Sequence, residues 1–141
     1  LDWSFLGRTT HELAWRPDRR RVVFSRSFRR PEWRHPRHLW VDPGQMPLLD
    51  ILDALAAVHP PEHCGVLGGV AVYAWFAQRD LIDAGDLSIE PATFGGGKPL
   101  FSAAAGRDPR SVLSAMGYRP TERLQLNAQG TLFARYRRPA L

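Results

Sequence analysis

Hydrophobic positions along the middle of the chain predict a series of short helices and strands. Apolar residues recur at positions 48, 51, 52, 55 and 58, the spacing of one face of an amphipathic helix, which we expect to begin at Pro47 and end before Pro60-Pro61. The run Gly65–Leu67 predicts a buried strand, and the breaker-free apolar run Val70–Gln78 predicts a buried helix. A further strand is predicted over residues 86–90.

The last third of the chain predicts a helix followed by a hairpin. Asp108-Pro109 combines an N-cap carboxylate with a proline suited to the first helical position, and Gly117 is typical of a helix end. Segments 122–126 and 131–136 then predict two strands around a polar turn.

The first forty residues predict a second hairpin. Runs 11–16 and 21–28, which contain aromatic or β-branched residues, flank a turn that contains Pro17-Asp18. The element order therefore predicts a mixed α+β fold in two parts: an Arg-, Pro- and Trp-rich hairpin and arm over residues 1–46, and an α/β domain over residues 47–141.

Composition narrows the class of protein. The chain has 141 residues, of which 44% are hydrophobic and 23% charged, typical of a soluble globular protein that buries a core without disulfides. Cys64 is the single cysteine, which fits a reducing cytoplasm. The uncharged run 64–77 is shorter than the ~20 residues of a membrane span, and no signal peptide is recognisable. We therefore expect a cytoplasmic protein with no membrane partner.

Charge is segregated along the sequence. The formal net charge is +5, and 18 of the 19 basic residues are arginines. Residues 1–40 and 101–141 are strongly basic, whereas residues 41–100 are acidic. Codon usage in a GC-rich genome would explain the arginine excess but not its segregation. The segregation favours an anionic partner bound by the basic ends, with a metal ion held in the acidic centre.

One local arrangement resembles a known family. Gly68-Gly69 follows the predicted strand, Arg79 follows the predicted helix, and Asp83 comes four residues later. This pattern, together with the segments after residue 111, resembles the nucleotidyltransferase superfamily, particularly the bacterial AbiEii-type and related minimal nucleotidyltransferases of toxin–antitoxin systems. The resemblance covers roughly residues 47–136 and implies a small mixed sheet flanked by helices, to which the N-terminal hairpin would be added.

The resemblance implies magnesium-dependent transfer of a nucleoside monophosphate. Gly68 and Gly69 would cradle a nucleoside triphosphate at a helix start, Asp83 and Asp86 would hold Mg²⁺, and Arg79 would position the anion or the carboxylates. The acceptor would be a hydroxyl of RNA, protein or a small molecule. The alternative is a catalytically degenerate module of the same fold that binds nucleic acid or a protein partner.

The sequence departs from the family pattern at the metal site. Gly85 stands where the second aspartate is expected, and Asp86 comes one residue late. Since strand side chains alternate, Asp83 and Asp86 share one metal only if Gly85 forms a bulge. The other register pairs Asp86 with Ser88, a poor Mg²⁺ ligand. The third carboxylate of the family is also missing, because no acidic residue follows Glu122.

Three other sequence patterns were considered for candidate binding residues. Lys98 follows a triple glycine that fails the P-loop pattern, although the lysine itself is a candidate phosphate contact. The spacing from His59 to His63 matches a zinc motif that needs a helix, which Pro60-Pro61 excludes. The predicted nucleic-acid or anion-binding residues are Arg19, Arg20, Arg21, Arg29 and Arg30, which alternate with aromatic residues. The alternative is that the aromatics form the core and the arginines its solvated face.

Overall fold

A computed structural model describes residues 1–91, 99 and 107–139. Contacts divide the chain into two compact units, Leu1–Tyr73 and Ala74–Leu141, which we call the N-terminal unit and the C-terminal unit. The sequence predicted a division after residue 46, whereas the division in the structure lies inside a helix that covers residues 70–78.

The N-terminal unit is built on a five-stranded sheet of order β3-β4-β2-β1-β5. Strands β1, β2, β4 and β5 are parallel, and the edge strand β3 is antiparallel to β4. Its elements, in chain order, are β1 (Trp3–Gly7), α1 (Arg8–Leu13), β2 (Arg21–Phe24), β3 (Glu32–His35), β4 (His38–Val41), α2 (Leu48–Ala56) and β5 (Cys64–Gly68). Helix α3 (Val70–Gln78) begins in this unit and ends in the next.

The core of the N-terminal unit lies on both faces of this sheet. Every residue of β2 and β4 is buried, as expected for central strands of a parallel sheet that is covered on both sides. Leu6, Val23 and Trp40 share one face and form a hydrophobic cluster. Helix α2, predicted from its spacing and confirmed, buries Ile51 and Leu55 completely.

The predicted N-terminal hairpin is wrong. β2 pairs in parallel with β1 on one side and with β4 on the other, and His11, the start of the other predicted strand, lies in α1. The turn at Pro17-Asp18 therefore connects a helix to a strand. Because the valine-rich strand β2 pairs on both sides, it is a central strand of the sheet. A strand of a separate terminal hairpin would pair on one side only.

The C-terminal unit contains an antiparallel sheet of order β6-β8-β7. Its elements after α3 are β6 (Ala84–Ile89), α4 (Pro109–Ala115), β7 (Arg119–Gln125) and β8 (Leu132–Arg137). The predicted helix start is confirmed, because the Asp108 carboxylate accepts a hydrogen bond from the Arg110 N–H at 2.9 Å. The predicted C-terminal hairpin is confirmed as β7–β8, and the mixed α+β class is confirmed with it.

Within residues 1–91, 99 and 107–139, no helix has both the length and the apolar character that are needed to span a bilayer.

Candidate functional site

The connections between strands of the N-terminal unit diverge between β1 and β5. From β1 the chain crosses to β2 and continues to β4 on the same side, whereas α2 returns it to β5 on the other side of β1. Because crossovers between parallel strands are right-handed, these opposite directions place α1 and α2 on opposite faces of the sheet. Open α/β sheets bind ligands beyond the carboxyl ends of strands whose connections diverge in this way.

A glycine corner occupies that position. Leu6 of β1 pairs with Gly68 of β5. A Cβ built on Gly7 would lie 3.8 Å from the Gly69 nitrogen and 3.5 Å from Val72, so the ends of β1 and β5 meet closely. Gly68 has φ +103°, and a Cβ there would lie 3.0 Å from the Tyr73 ring. This position therefore requires glycine for its backbone and for space.

Helix α3 begins at this corner with its backbone uncovered. The Tyr73 N–H bonds the Gly69 carbonyl at 3.0 Å, so the N–H groups of the preceding helical residues have no carbonyl partner within the helix. A Cβ built on Gly69 would meet no atom within 4 Å among the described residues. Uncovered N–H groups at the positive end of a helix favour an anion such as a phosphate.

Polar side chains follow the other strands at the same edge. Gly7 pairs with Phe24, and Phe24 with Val41, so the residues after these strands leave the sheet side by side. Arg8 follows β1, and the exposed Arg26 follows β2 after Ser25. Asp42 follows β4, where its Oδ1 accepts the Gly44 N–H at 2.8 Å. This edge therefore combines exposed arginines with an aspartate that closes a local turn.

The anion-binding residues predicted from the sequence did not include Arg8 and Arg26. Each follows a short hydrophobic strand almost at once, at Leu6-Gly7-Arg8 and Phe24-Ser25-Arg26. The signal was present in this repeated sequence of an apolar run, a small residue and an arginine. It has meaning only once the two strands are known to be parallel, because then both arginines emerge at one edge.

The amino ends of the same strands hold a buried basic cluster. Arg21 is only 5% exposed; its Nη1 donates to the Ala14 carbonyl at 2.7 Å and lies 3.2 Å from His11 Nδ1. The His11 and His38 rings are 4.8 Å apart. Burial lowers the pKa of Arg21, and burial together with the positive neighbours lowers the pKa of His11 to about 4. Burial lowers the pKa of His38 as well, and His11 is uncharged near pH 7.

The other predicted anion-binding arginines are distributed around this cluster. Arg20 Nε donates to the Asp2 carbonyl at 2.7 Å, and Arg19 Nε lies 3.7 Å from Asp18. Arg29 and Arg30 are exposed in the segment between β2 and β3. The structure brings Arg19, Arg20 and Arg21 together but not with Arg29 and Arg30, and their role in anion binding stays a prediction.

The acidic segment after α3 does not form the geometry that a shared metal requires. β6 pairs with β8 without interruption from Ala84 to Ile89, so Gly85 forms no bulge, and the strand's alternation separates Asp83 from Asp86. Arg135 holds the Asp86 carboxylate through two hydrogen bonds, at 2.8 and 3.1 Å, and lowers the pKa of Asp86. The alternative metal site, formed by Asp86 and Ser88, meets the same obstacle, because the Asp86 carboxylate is already bound by Arg135.

Arg79 does not contribute to an acidic centre among the described residues either. The Arg79 guanidinium lies over the Trp75 ring at 4.1 Å and donates to the Trp75 carbonyl at 3.0 Å, so this arginine folds back on its own helix. Lys98 lies outside the described residues. Within residues 1–91, 99 and 107–139, no group of three or more histidine, cysteine and acidic side chains could hold a metal ion.

Comparisons with known proteins show the fold. No family model matches the chain, and no curated protein matches it. A crystal structure of a candidate riboflavin biosynthesis protein from Shewanella sp. PV-4 is similar over 99% of this chain and 75% of that one, with a TM-score of 0.69 and 20% identity. A pyrimidine reductase-like protein from Corynebacterium diphtheriae is similar over 99% and 77%, with a TM-score of 0.64 and 14% identity.

These similarities correct the nucleotidyltransferase assignment. The chain has the fold of these two proteins, so the predicted transfer of a nucleoside monophosphate, its non-catalytic alternative on a nucleotidyltransferase fold and the toxin–antitoxin setting are wrong. The predicted Mg²⁺ cofactor and nucleoside triphosphate substrate are therefore wrong as well. The physical reason for the error is that a glycine turn before a helix serves any phosphate-bearing ligand, so Gly68-Gly69 alone does not separate the two families.

Proposed function

We propose that this chain is a reductase that binds a nicotinamide dinucleotide at the carboxyl edge of the N-terminal sheet. The observation that carries the proposal is the position of Gly68-Gly69: the uncovered start of α3 lies at the carboxyl ends of β1 and β5, where the strand connections diverge. Dinucleotides bind to open α/β sheets at such a point, with their diphosphate at a helix start. The fold similarity to a pyrimidine reductase-like protein supports the same conclusion.

The residues at this edge fit the group. A Cβ built on Gly69 meets no atom within 4 Å in the part of the chain that the structure describes, so a diphosphate can approach the backbone N–H groups of the first turn of α3. Arg8 and Arg26 supply positive charge beside it. When bound, the dinucleotide would supply a hydride, and the protein's part is to bind and orient it.

The charge at the end of β2 favours a dinucleotide that carries a 2′-phosphate. An acidic residue beyond a strand end accepts hydrogen bonds from the ribose hydroxyls of NAD, whereas an arginine accommodates the 2′-phosphate of NADP. The residues after β2 are Ser25, Arg26 and Ser27. The Ser27 N–H bonds the Ser25 hydroxyl at 3.4 Å, which folds this segment locally and leaves Arg26 exposed. We therefore assign the 2′-phosphate contact to Arg26.

The substrate class follows from the similar structures rather than from the site. One is a candidate riboflavin biosynthesis protein and the other is pyrimidine reductase-like. We accordingly propose reduction of a pyrimidine-containing substrate in riboflavin synthesis.

Titration with NADPH and NADH, followed by nicotinamide fluorescence, tests the proposal. We expect NADPH to bind at least about tenfold more tightly than NADH, a difference of about 1.4 kcal/mol. Arg26→Gln should remove most of this preference. Arg119→Gln, which removes the same charge from an exposed position of β7, is the matched control and should keep it. If the intact chain binds neither dinucleotide, the proposal is wrong.

A further inference from the structure

A hollow of about 390 Å³ lies beside the amino ends of β1 and β2. Most of its lining comes from these amino ends, opposite to the glycine corner, and along β5 it extends to Leu67, the residue before Gly68. Its polar lining includes Ser4, Arg16, Asp18, Arg19, Arg20 and Arg21. Leu67, which is 45% exposed, adds an apolar wall.

The charges that line the hollow do not balance. Four arginines face two aspartates, Asp2 and Asp18, which leaves two positive charges. Asp18 is engaged by Arg16 through two hydrogen bonds of 3.0 Å. The Asp2 carboxylate accepts the His63 N–H at 2.7 Å and lies 3.2 Å from His59 Nε2. Within residues 1–91, 99 and 107–139, no ion pair neutralises Arg20 or Arg21.

Arg21 is the fixed element of the hollow's wall. The residue is 95% buried, and its Nη1 partners, the Ala14 carbonyl and His11, are both uncharged. Its Nε is buried and has no hydrogen-bond partner among the described residues. A buried cation without an anion is costly. The carbonyl end of α1 at Ala14 offsets only part of this cost, because a helix terminus carries about half a charge.

We propose that this hollow binds a phosphoryl group, either as inorganic phosphate or as the phosphate monoester of a small molecule. Two uncompensated arginines match the nearly double negative charge of a phosphate near neutral pH, and guanidinium forks bind phosphate oxygens in pairs. The Ser4 hydroxyl provides a further donor. The volume is roughly tenfold the ~30 Å³ of a water molecule, and with the Leu67 wall it accommodates a small organic group beside the phosphate.

The arginine side-chain Nε–H signals in ¹⁵N NMR spectra report directly on this site. Sodium phosphate and glycerol 3-phosphate are added separately to the full chain, with sodium chloride at matched ionic strength as the reference. We expect either phosphate compound to shift the Arg21 Nε–H signal in a saturable way that chloride does not reproduce. Saturation at lower concentration with glycerol 3-phosphate identifies a monoester as the ligand, and the reverse order identifies the free ion.

Charge-matched variants make the result specific. The double variant Arg19→Gln/Arg20→Gln should weaken phosphate binding at least about tenfold while the backbone spectrum remains folded. Arg119→Gln/Arg123→Gln, which removes two exposed arginines from β7, should leave the affinity unchanged. Arg16→Gln, which leaves Asp18 without its main partner, should also weaken binding. The proposal is overturned if phosphate leaves the Arg21 signal in place, or if both double variants lose affinity equally.

Discussion

The segments before and after α3 differ in whether their polar groups are available to a ligand. Before the helix, Gly69 has no neighbouring atom within 4 Å of a built Cβ among the described residues, so backbone N–H groups are open to a ligand. After the helix, the Asp86 carboxylate is closed by two hydrogen bonds from Arg135. Availability decides what a residue type can do: the glycine turn is open to a ligand, whereas the aspartate is already paired with an arginine.

The two units also differ in the burial of their charged and titratable groups. The N-terminal unit buries Arg21, His11 and His38 at the amino ends of its strands. In the C-terminal unit, the pair Asp86–Arg135 is substantially exposed, with side-chain exposures of 49% and 35%. Burial makes ionisation costly in the first unit, and solvent makes the ion pair weak in the second.

The largest effect we predict is acid sensitivity of the N-terminal unit. His11 has a pKa of about 4 in the folded chain, against an ordinary value of 6.5, because it is buried and lies beside His38, Arg21 and His35. Between pH 6.5 and 4 the unfolded chain binds a proton at His11 that the folded chain does not, so stability falls as the pH falls. The full loss is on the order of 3 kcal/mol.

Denaturant unfolding at a series of pH values measures this effect. His11→Gln removes the titrating group and should flatten the pH dependence of the free energy of unfolding between pH 6.5 and 4. His63→Gln, at a side chain that is 84% exposed, is the control and should keep the wild-type slope. An unchanged slope in His11→Gln would show that the buried histidine is not the cause.

A smaller effect is expected at the acidic segment. Asp86→Asn removes an exposed ion pair, which contributes little to stability, and Asp83→Asn removes a carboxylate that lies outside the proposed site. We expect both variants to bind NADPH within about twofold of the wild type, and we expect EDTA to leave that affinity unchanged. A large loss in either variant, or a requirement for Mg²⁺, would restore an active role for the acidic segment.

Local features of the fold were predictable because neighbours in sequence determine them. The apolar run 70–78 forms α3 with the predicted bounds, and Asp108 caps α4 as expected. The Gly68-Gly69 turn was also predicted to bind an anion, and this role stays a prediction, although the nucleoside triphosphate proposed for it was wrong.

Features that depend on distant partners were not predictable. Arg135, which neutralises Asp86, is 49 residues away in sequence. The parallel pairing of β2 with β1 and β4 turned a predicted hairpin into the centre of a sheet. The same pairing placed Arg26 at the edge where Gly68 lies, and no local pattern identifies a residue whose role depends on sheet order.

The most direct test of the central claim is NADPH binding to Gly69→Val, measured beside Gly85→Val. A Cβ built on either glycine meets no atom within 4 Å among the described residues, so the two substitutions add the same side chain at similarly open positions. If the uncovered start of α3 receives the diphosphate, Gly69→Val weakens NADPH binding by at least about 100-fold, about 2.7 kcal/mol, and Gly85→Val leaves it intact. Equal affinities in the two variants would contradict the account.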